Sequence, residues 1–158
     1  PELPEVETVC RSLAPFLIGK KVESCEVRAE KLIKSSSAEE FCRKISARTF
    51  TEVKRRGKYI LLSLDDGETL VVHLRMTGKL LLCDKAEPLG AHTHIRFILD
   101  NSDKELRYDD TRKFGILYLG DEAKLNELSG LASLGCEPLS EEFTVEALAE
   151  MMAKCPKN

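Results

Sequence analysis

Four short stretches of this 158-residue chain bring together residue types that can do chemistry. The first is Pro1-Glu2-Leu3-Pro4-Glu5. A terminal proline, as would follow removal of an initiator methionine, is a secondary amine. Its unperturbed pKa of about 8 leaves a useful fraction neutral and nucleophilic at neutral pH. Attack on the anomeric carbon of a sugar would give an iminium that cannot discharge by losing a proton, and so an electron sink for later elimination. Glu2 would be placed to act as general acid or base on the same sugar. The plainer alternative is an ordinary terminus, with Pro4 opening a helix and Glu2, Glu5 and Glu7 complementing its dipole.

The second stretch, Lys54-Arg55-Arg56-Gly57-Lys58-Tyr59, is a basic cluster at a strand junction. It reads either as a charged edge that discourages strand pairing or as a cationic seat for a phosphate. Lys58 stands out because Gly57 allows close approach of the backbone. The third and fourth are His73-Leu74-Arg75-Met76-Thr77-Gly78 and Asp109-Asp110-Thr111-Arg112-Lys113-Phe114-Gly115. Met76 and Phe114 fall in turns beside cations. They are either core residues or apolar wedges of the kind that enter a base stack. His92 and His94, two apart, would share a strand face, but no third ligand cluster accompanies them, so no metal site is expected.

These residues need a scaffold, and the sequence supplies a mainly β one. Val6, Val9, Cys10, Leu13 and Leu17 have helical spacing over 4–18, with Gly19 as the stop and Pro15 expected to kink or shorten the helix. A strand is expected over 21–28, and Ser37 to Glu40 fits a capping box for a short helix through Phe41 and Ile45. Strands follow at 49–55, 59–64, 69–74, 80–83, 94–99, 105–108 and 116–119. Asp65-Asp66-Gly67 and Asp100-Asn101-Ser102-Asp103 are the clearest hairpin turns. Regularly spaced strands joined by hairpins mean an antiparallel sandwich or barrel. Helical patterns return near Leu125 and Leu128 and from Thr144 to Met152.

Composition bounds the answer without deciding it. An apolar fraction of 42% with 32% charged residues is that of an ordinary soluble domain. No apolar run suggests a membrane span. The six cysteines include no C-x-x-C pair and read as reduced thiols of a cytoplasmic protein. The net charge of -3 argues against a nucleic-acid partner at face value. From Asp121 onward, however, there are eight acids and three bases, which leaves 21 bases against 19 acids in residues 1–120.

Taken in order, the motifs resemble the formamidopyrimidine-DNA glycosylase family. They are Pro1 to Thr8, Arg56-Gly57-Lys58-Tyr59, His73 to Gly78, Arg112-Lys113-Phe114-Gly115 and Leu134-Gly135-Cys136-Glu137-Pro138-Leu139, where cysteine replaces a family proline. The resemblance implies a two-layer antiparallel β-sandwich with flanking helices, the catalytic domain over 1–135 and the start of a linker or helical region over 136–158. It implies excision of oxidised purines, 8-oxoguanine and formamidopyrimidines, from double-stranded DNA, followed by β,δ-elimination. Pro1 would form a Schiff base at C1′, Glu2 would protonate the sugar ring oxygen, and Lys58 would hold phosphate and assist elimination. Met76, Arg112 and Phe114 would fill the void left by the extruded nucleotide, with Arg112 facing the orphaned cytosine. His73 and His92 would contact phosphate.

The chain also departs from the family. The helix–two-turn–helix region and the zinc finger that binds one structural zinc ion are expected to lie outside it. A chain cut before them would be weak or inactive, and the missing basic half would explain the net charge. The resemblance further implies a bacterial, nucleoid-associated monomer with no membrane partner. Competing readings are an endonuclease VIII-like glycosylase for oxidised pyrimidines, a tautomerase using Pro1 as base, and a non-catalytic lesion-binding module.

Overall fold

In the computed structural model, the described residues are 3–121. The expected segments near Leu125 and from Thr144 to Met152, and the boundary at 135, lie outside them.

Helix α1 (Leu3–Leu17) buries Val6, Cys10, Leu13 and Leu17, the stripe that the spacing predicts. It runs through Pro15 without ending there. Pro15 sits in the last turn, where the missing N–H forfeits only the bond to the Arg11 carbonyl. Gly19, at φ +89°, reverses the chain, and its N–H donates to Phe50 O at 2.8 Å. Strand β1 (Val22–Val27) follows, then a 3-10 turn (Glu30–Leu32) and α2 (Ala38–Ile45). Ser37 caps α2, its hydroxyl accepting from Glu40 N at 3.2 Å.

Seven further strands are β2 (Phe50–Arg56), β3 (Tyr59–Leu64), β4 (Glu68–His73), β5 (Gly78–Asp84), β6 (Thr93–Leu99), β7 (Lys104–Asp110) and β8 (Ile116–Asp121). They form two four-stranded antiparallel sheets, ordered β1-β6-β7-β5 and β2-β3-β4-β8. A single apolar cluster, including Leu13, Phe41, Phe50, Leu62, Leu70, Phe97 and Leu106, joins sheets and helices. The expected sandwich is therefore the observed architecture. Gly67 at φ +87° and Asn101 at φ +52° turn the two hairpins that the sequence marks most clearly.

One local expectation fails. His92 and His94 do not share a strand face: the register shifts between Thr93 and Ile95, and Thr93, His94 and Ile95 are all buried while His92 is exposed. A bulge breaks the two-residue alternation on which the expectation rests.

The segment after β1 covers the edge of β8. Ile33 bridges Leu117, Lys34 N donates to Leu117 O at 2.9 Å, and Ser35 Oγ accepts from Leu119 N at 3.0 Å. That arrangement satisfies backbone groups that an open edge would leave unpaired.

Candidate functional site

The strand registers bring the chemically suggestive stretches to one end of the sandwich. Arg56 pairs with Tyr59 across a two-residue turn of Gly57 and Lys58, Tyr59 pairs with His73, and His73 pairs with Ile116. In the other sheet, Gly78 pairs with Asp110 and Thr93 with Asp109. Lys58, Met76, His92, Arg112 and Phe114 thus lie in the turns and loops of one end, where His73 closes β4. The opposite end carries the acidic turns, with Asp65, Asp66, Asp84, Asp100 and Asp103. Such a placement lets a chain of net charge -3 carry a cationic end.

The basic cluster is sorted by its partners. Lys54 pairs with Glu52 at 3.2 Å. Arg55 binds Glu7 at 2.7 Å and donates to Gly57 O at 2.8 Å, which ties α1 to the Lys58 turn. Arg55 and Arg11 hold the Glu7 carboxyl below its usual pKa. Lys58 has no carboxylate partner among the described residues. Gly57, at φ +60° in the first central position, matches a type II′ turn and aims the chain back into β3.

His73 stacks edge-on against Tyr59, with ring centroids 4.5 Å apart, and its Nδ1 accepts from Arg75 N at 2.9 Å. Burial pushes its pKa down to about 4, and the charges of Arg75 and Lys58 act in the same direction. The ring is therefore neutral at pH 7, with Nδ1 as acceptor and Nε2 left as the N–H donor.

Asp110, 1% exposed, ties together the loop that holds Met76 and the loop that holds Phe114. Its carboxylate accepts from Thr77 Oγ1 on one loop and from Arg112 N (3.2 Å) and Gly115 N (2.8 Å) on the other. It also accepts from the Tyr108 hydroxyl at 2.9 Å. Burial opposes the charge, but the bonds from Thr77, Gly115, Tyr108 and Arg112 outweigh it and hold the pKa below the ordinary value. Glycine is required around this hub. A methyl at Gly115 would overlap the Tyr108 hydroxyl outright, and one at Gly78 would lie 2.5 Å from it and from Leu74 O.

So braced, the loops hold unfavourable conformations: Arg75 has φ +54° and Lys113 φ +55°. They present apolar side chains to solvent, Met76 at 71% and Phe114 at 45% exposed. The Arg112 guanidinium lies 4.8 Å from the centre of the Phe114 ring. His92 is exposed beside this group, and its carbonyl accepts from Asp110 N at 2.9 Å. His94 is instead a buried strut, its ring 2.8 Å from Asp110 O.

Pro1 and Glu2 lie outside the described residues, so their placement stays an expectation. Asp110, Thr77, Tyr108 and Arg55 were not singled out from sequence, although Asp110, Thr77 and Arg55 stand inside motifs that were. Among the described residues, no cluster of three or more His, Cys, Asp or Glu could hold a metal ion.

These features define a β-sandwich with one end that gathers cations and two exposed apolar side chains. The chain belongs to the formamidopyrimidine-DNA glycosylase family, whose N-terminal domain model matches residues 1–117. It is 45% identical over 158 residues to the formamidopyrimidine-DNA glycosylase of Carboxydothermus hydrogenoformans, covering all of this chain and 56% of that protein. The protein of the same name from Moorella thermoacetica is 46% identical over 153 residues, 97% of this chain and 56% of that one. The chain thus spans about half the length of the curated relatives it matches. Among solved structures, Lactococcus lactis Fpg in complex with FAPY-dG-containing DNA superposes with a TM-score of 0.76 at 32% identity, over 84% of this chain and 48% of that one. Its complex with DNA containing an abasic site gives 0.77 at 32%, again over 84% and 48%.

Proposed function

We propose that this chain is the catalytic half of a bifunctional DNA glycosylase and AP lyase that excises oxidised purines. The observation that carries the reading is the gathering of Lys58, His73, Met76, Arg112 and Phe114 at one end of the sandwich, two of them apolar and exposed. Relatives named formamidopyrimidine-DNA glycosylase, and neighbours in complex with damaged DNA, support it.

In this reading the target nucleotide leaves the stack, because its C1′ is otherwise out of reach. The neutral amine of Pro1 forms a bond to C1′ as the glycosidic bond breaks and the base departs with a proton. Glu2 protonates the sugar ring oxygen, the ring opens, and the nitrogen holds the positive charge of an iminium. Loss of a C2′ proton then expels the 3′ phosphate, and a second elimination expels the 5′ phosphate. Lys58 neutralises a phosphate beside the reacting sugar, and neutral His73 offers an N–H to another. Met76 and Phe114 occupy the emptied stack, while Arg112, stacked on Phe114, has donors to offer the orphaned base. A family zinc finger would hold its ion outside this chain.

Full-length protein incubated with an 8-oxoguanine:cytosine duplex should release the free oxidised base and leave phosphate at both ends of the gap. Release from a duplex carrying an oxidised pyrimidine, with the 8-oxoguanine duplex intact, would move the assignment to the endonuclease VIII-like branch. Lesion binding without release from either would leave a binding module.

A further inference from the structure

Beside the wedge loops lies a second cationic feature. A half-open cleft of about 170 Å³ is lined by Lys31, Lys34, Arg75, Lys113, Phe114 and Gly115. Four of these six residues are cations. Lys31, Lys34 and Lys113 are exposed and have no carboxylate partner among the described residues. The nearest acid in sequence, Glu30, is engaged elsewhere, its Oε2 accepting from Ala38 N at 3.1 Å.

The two lysines, Lys31 in the 3-10 turn and Lys34 just after it, are held on a fixed base. Leu32 and Ile33, between them, are buried, and Ile33 and Lys34 are fastened to Leu117 on the edge of β8. Lys113 faces them from the loop that Asp110 braces. Unpaired like charges repel, so a cleft that collects them in a small space is most stable with an anion inside.

From this we infer that the cleft is a seat for a backbone phosphate of the DNA strand opposite the one held at Lys58; the inference rests on the DNA-glycosylase reading above. The strand assignment follows from the order of elements. Along the end of the sheet run the Lys58 turn of β3, then β4, β8 and the Ile33–Lys34 segment. Three steps of about 4.8 Å separate the first from the last, roughly 14 Å in all. That span is close to the roughly 12 Å width of the major groove, which separates the two backbones; along one strand it would take about four phosphates at about 3.4 Å of axial rise each. The loops that carry Met76 and Phe114 leave β4 and enter β8, the two strands between the cationic positions. A duplex entered there by apolar wedges has one backbone on each side of them, with Lys58 gripping one and the cleft the other.

The test uses full-length protein in three forms: wild type, K31A/K34A and K58A. Both lysines of the cleft are exposed, so the double variant should melt as wild type does. K31R/K34R keeps the charge and should bind as wild type. For K31A/K34A, the slope of log K against log salt should become shallower by about 0.9, one phosphate's worth of counterion release. Neutral methylphosphonates placed one at a time in each strand should locate the contact. Wild type should be weakened by a substitution in the lesion-free strand to which K31A/K34A is indifferent. K58A should lose its sensitivity in the lesion strand instead.

An unchanged salt slope in a wild type that still traps lesion DNA with borohydride would overturn the seat alone. Lost sensitivity in the lesion strand would overturn the strand assignment. Selective displacement by inorganic phosphate at matched ionic strength, absent from the double variant, would make the cleft a site for free phosphate and overturn the DNA contact. A wild type that neither binds nor traps lesion DNA would remove the glycosylase reading and the seat with it.

Discussion

Replacing Asp110 by asparagine removes one charge and turns one acceptor oxygen into a donor, with almost no change of shape. The two carboxylate oxygens divide their four donors evenly: Thr77 Oγ1 and Arg112 N on Oδ1, Tyr108 OH and Gly115 N on Oδ2. Either hydroxyl can rotate to accept from the new amide. Neither backbone N–H can, so whichever oxygen becomes nitrogen leaves one N–H, the buried Gly115 or the partly buried Arg112, facing another donor. An unsatisfied buried group costs about 1–3 kcal/mol, and the bonds that remain fall from charge-assisted to neutral strength. Together these set the expected loss at about 2–4 kcal/mol. For a domain of this size that is a fall in Tm of roughly 8–15 °C. Thermal melts followed by circular dichroism would read it directly. The carboxylate's lowered pKa adds a sign. Its stabilisation is present above the unfolded value and lost as pH falls through the lower folded value, so wild type and D110N should converge only in strong acid. A change of less than about 2 °C at neutral pH would show that Asp110 does not organise the loops.

Three further outcomes follow from neighbouring geometry. Gly115→Ala should destabilise by about 1–3 kcal/mol or more, because the methyl meets Tyr108 and the hub rather than open space; an unchanged Tm would deny the close approach. Phe114→Ala should leave Tm within about 3 °C, since the ring is 45% exposed, while slowing lesion search and excision; full activity would mark the ring as packing alone. His73 binds its proton more weakly in the fold than its ordinary 6.5, at about 4, so the unfolded chain takes up more protons between those values. Stability should therefore fall as pH drops from about 6.5 to 4, and His73→Gln should flatten that part of the Tm–pH curve relative to wild type; parallel curves would contradict the burial argument.

The strands were legible as short β-branched or aliphatic runs, Thr69 to Leu74 among them, and because each hairpin needs a residue that tolerates positive φ, as Gly67 and Asn101 do. Helix α1 was legible from one apolar stripe, Val6 to Leu17. What escaped was whatever depends on partners distant in sequence. Asp110 gains its role from Thr77, 33 positions away, and nothing in the local pattern separates it from Asp109. Within the cationic run at 54–58 Gly57 marks out Lys58, but only Glu7, 48 positions before Arg55, gives Arg55 its structural task. The 3-10 turn at Glu30–Leu32 is too short for a periodic signal, so the cleft it builds against β8 had no trace in the pattern. His94 was misread with His92 because a bulge carries no mark in the residues themselves.

If the N-terminal amine performs the excision chemistry, covalent capture will find it bonded to the sugar. Full-length protein would be mixed with an 8-oxoguanine:cytosine duplex and borohydride, and the adduct digested and mapped by mass spectrometry. A reduced sugar remnant on the Pro1 nitrogen, absent when that amine is blocked, is the predicted result. No adduct from a protein whose proline amine is free, or an adduct on Lys58 instead, would contradict it.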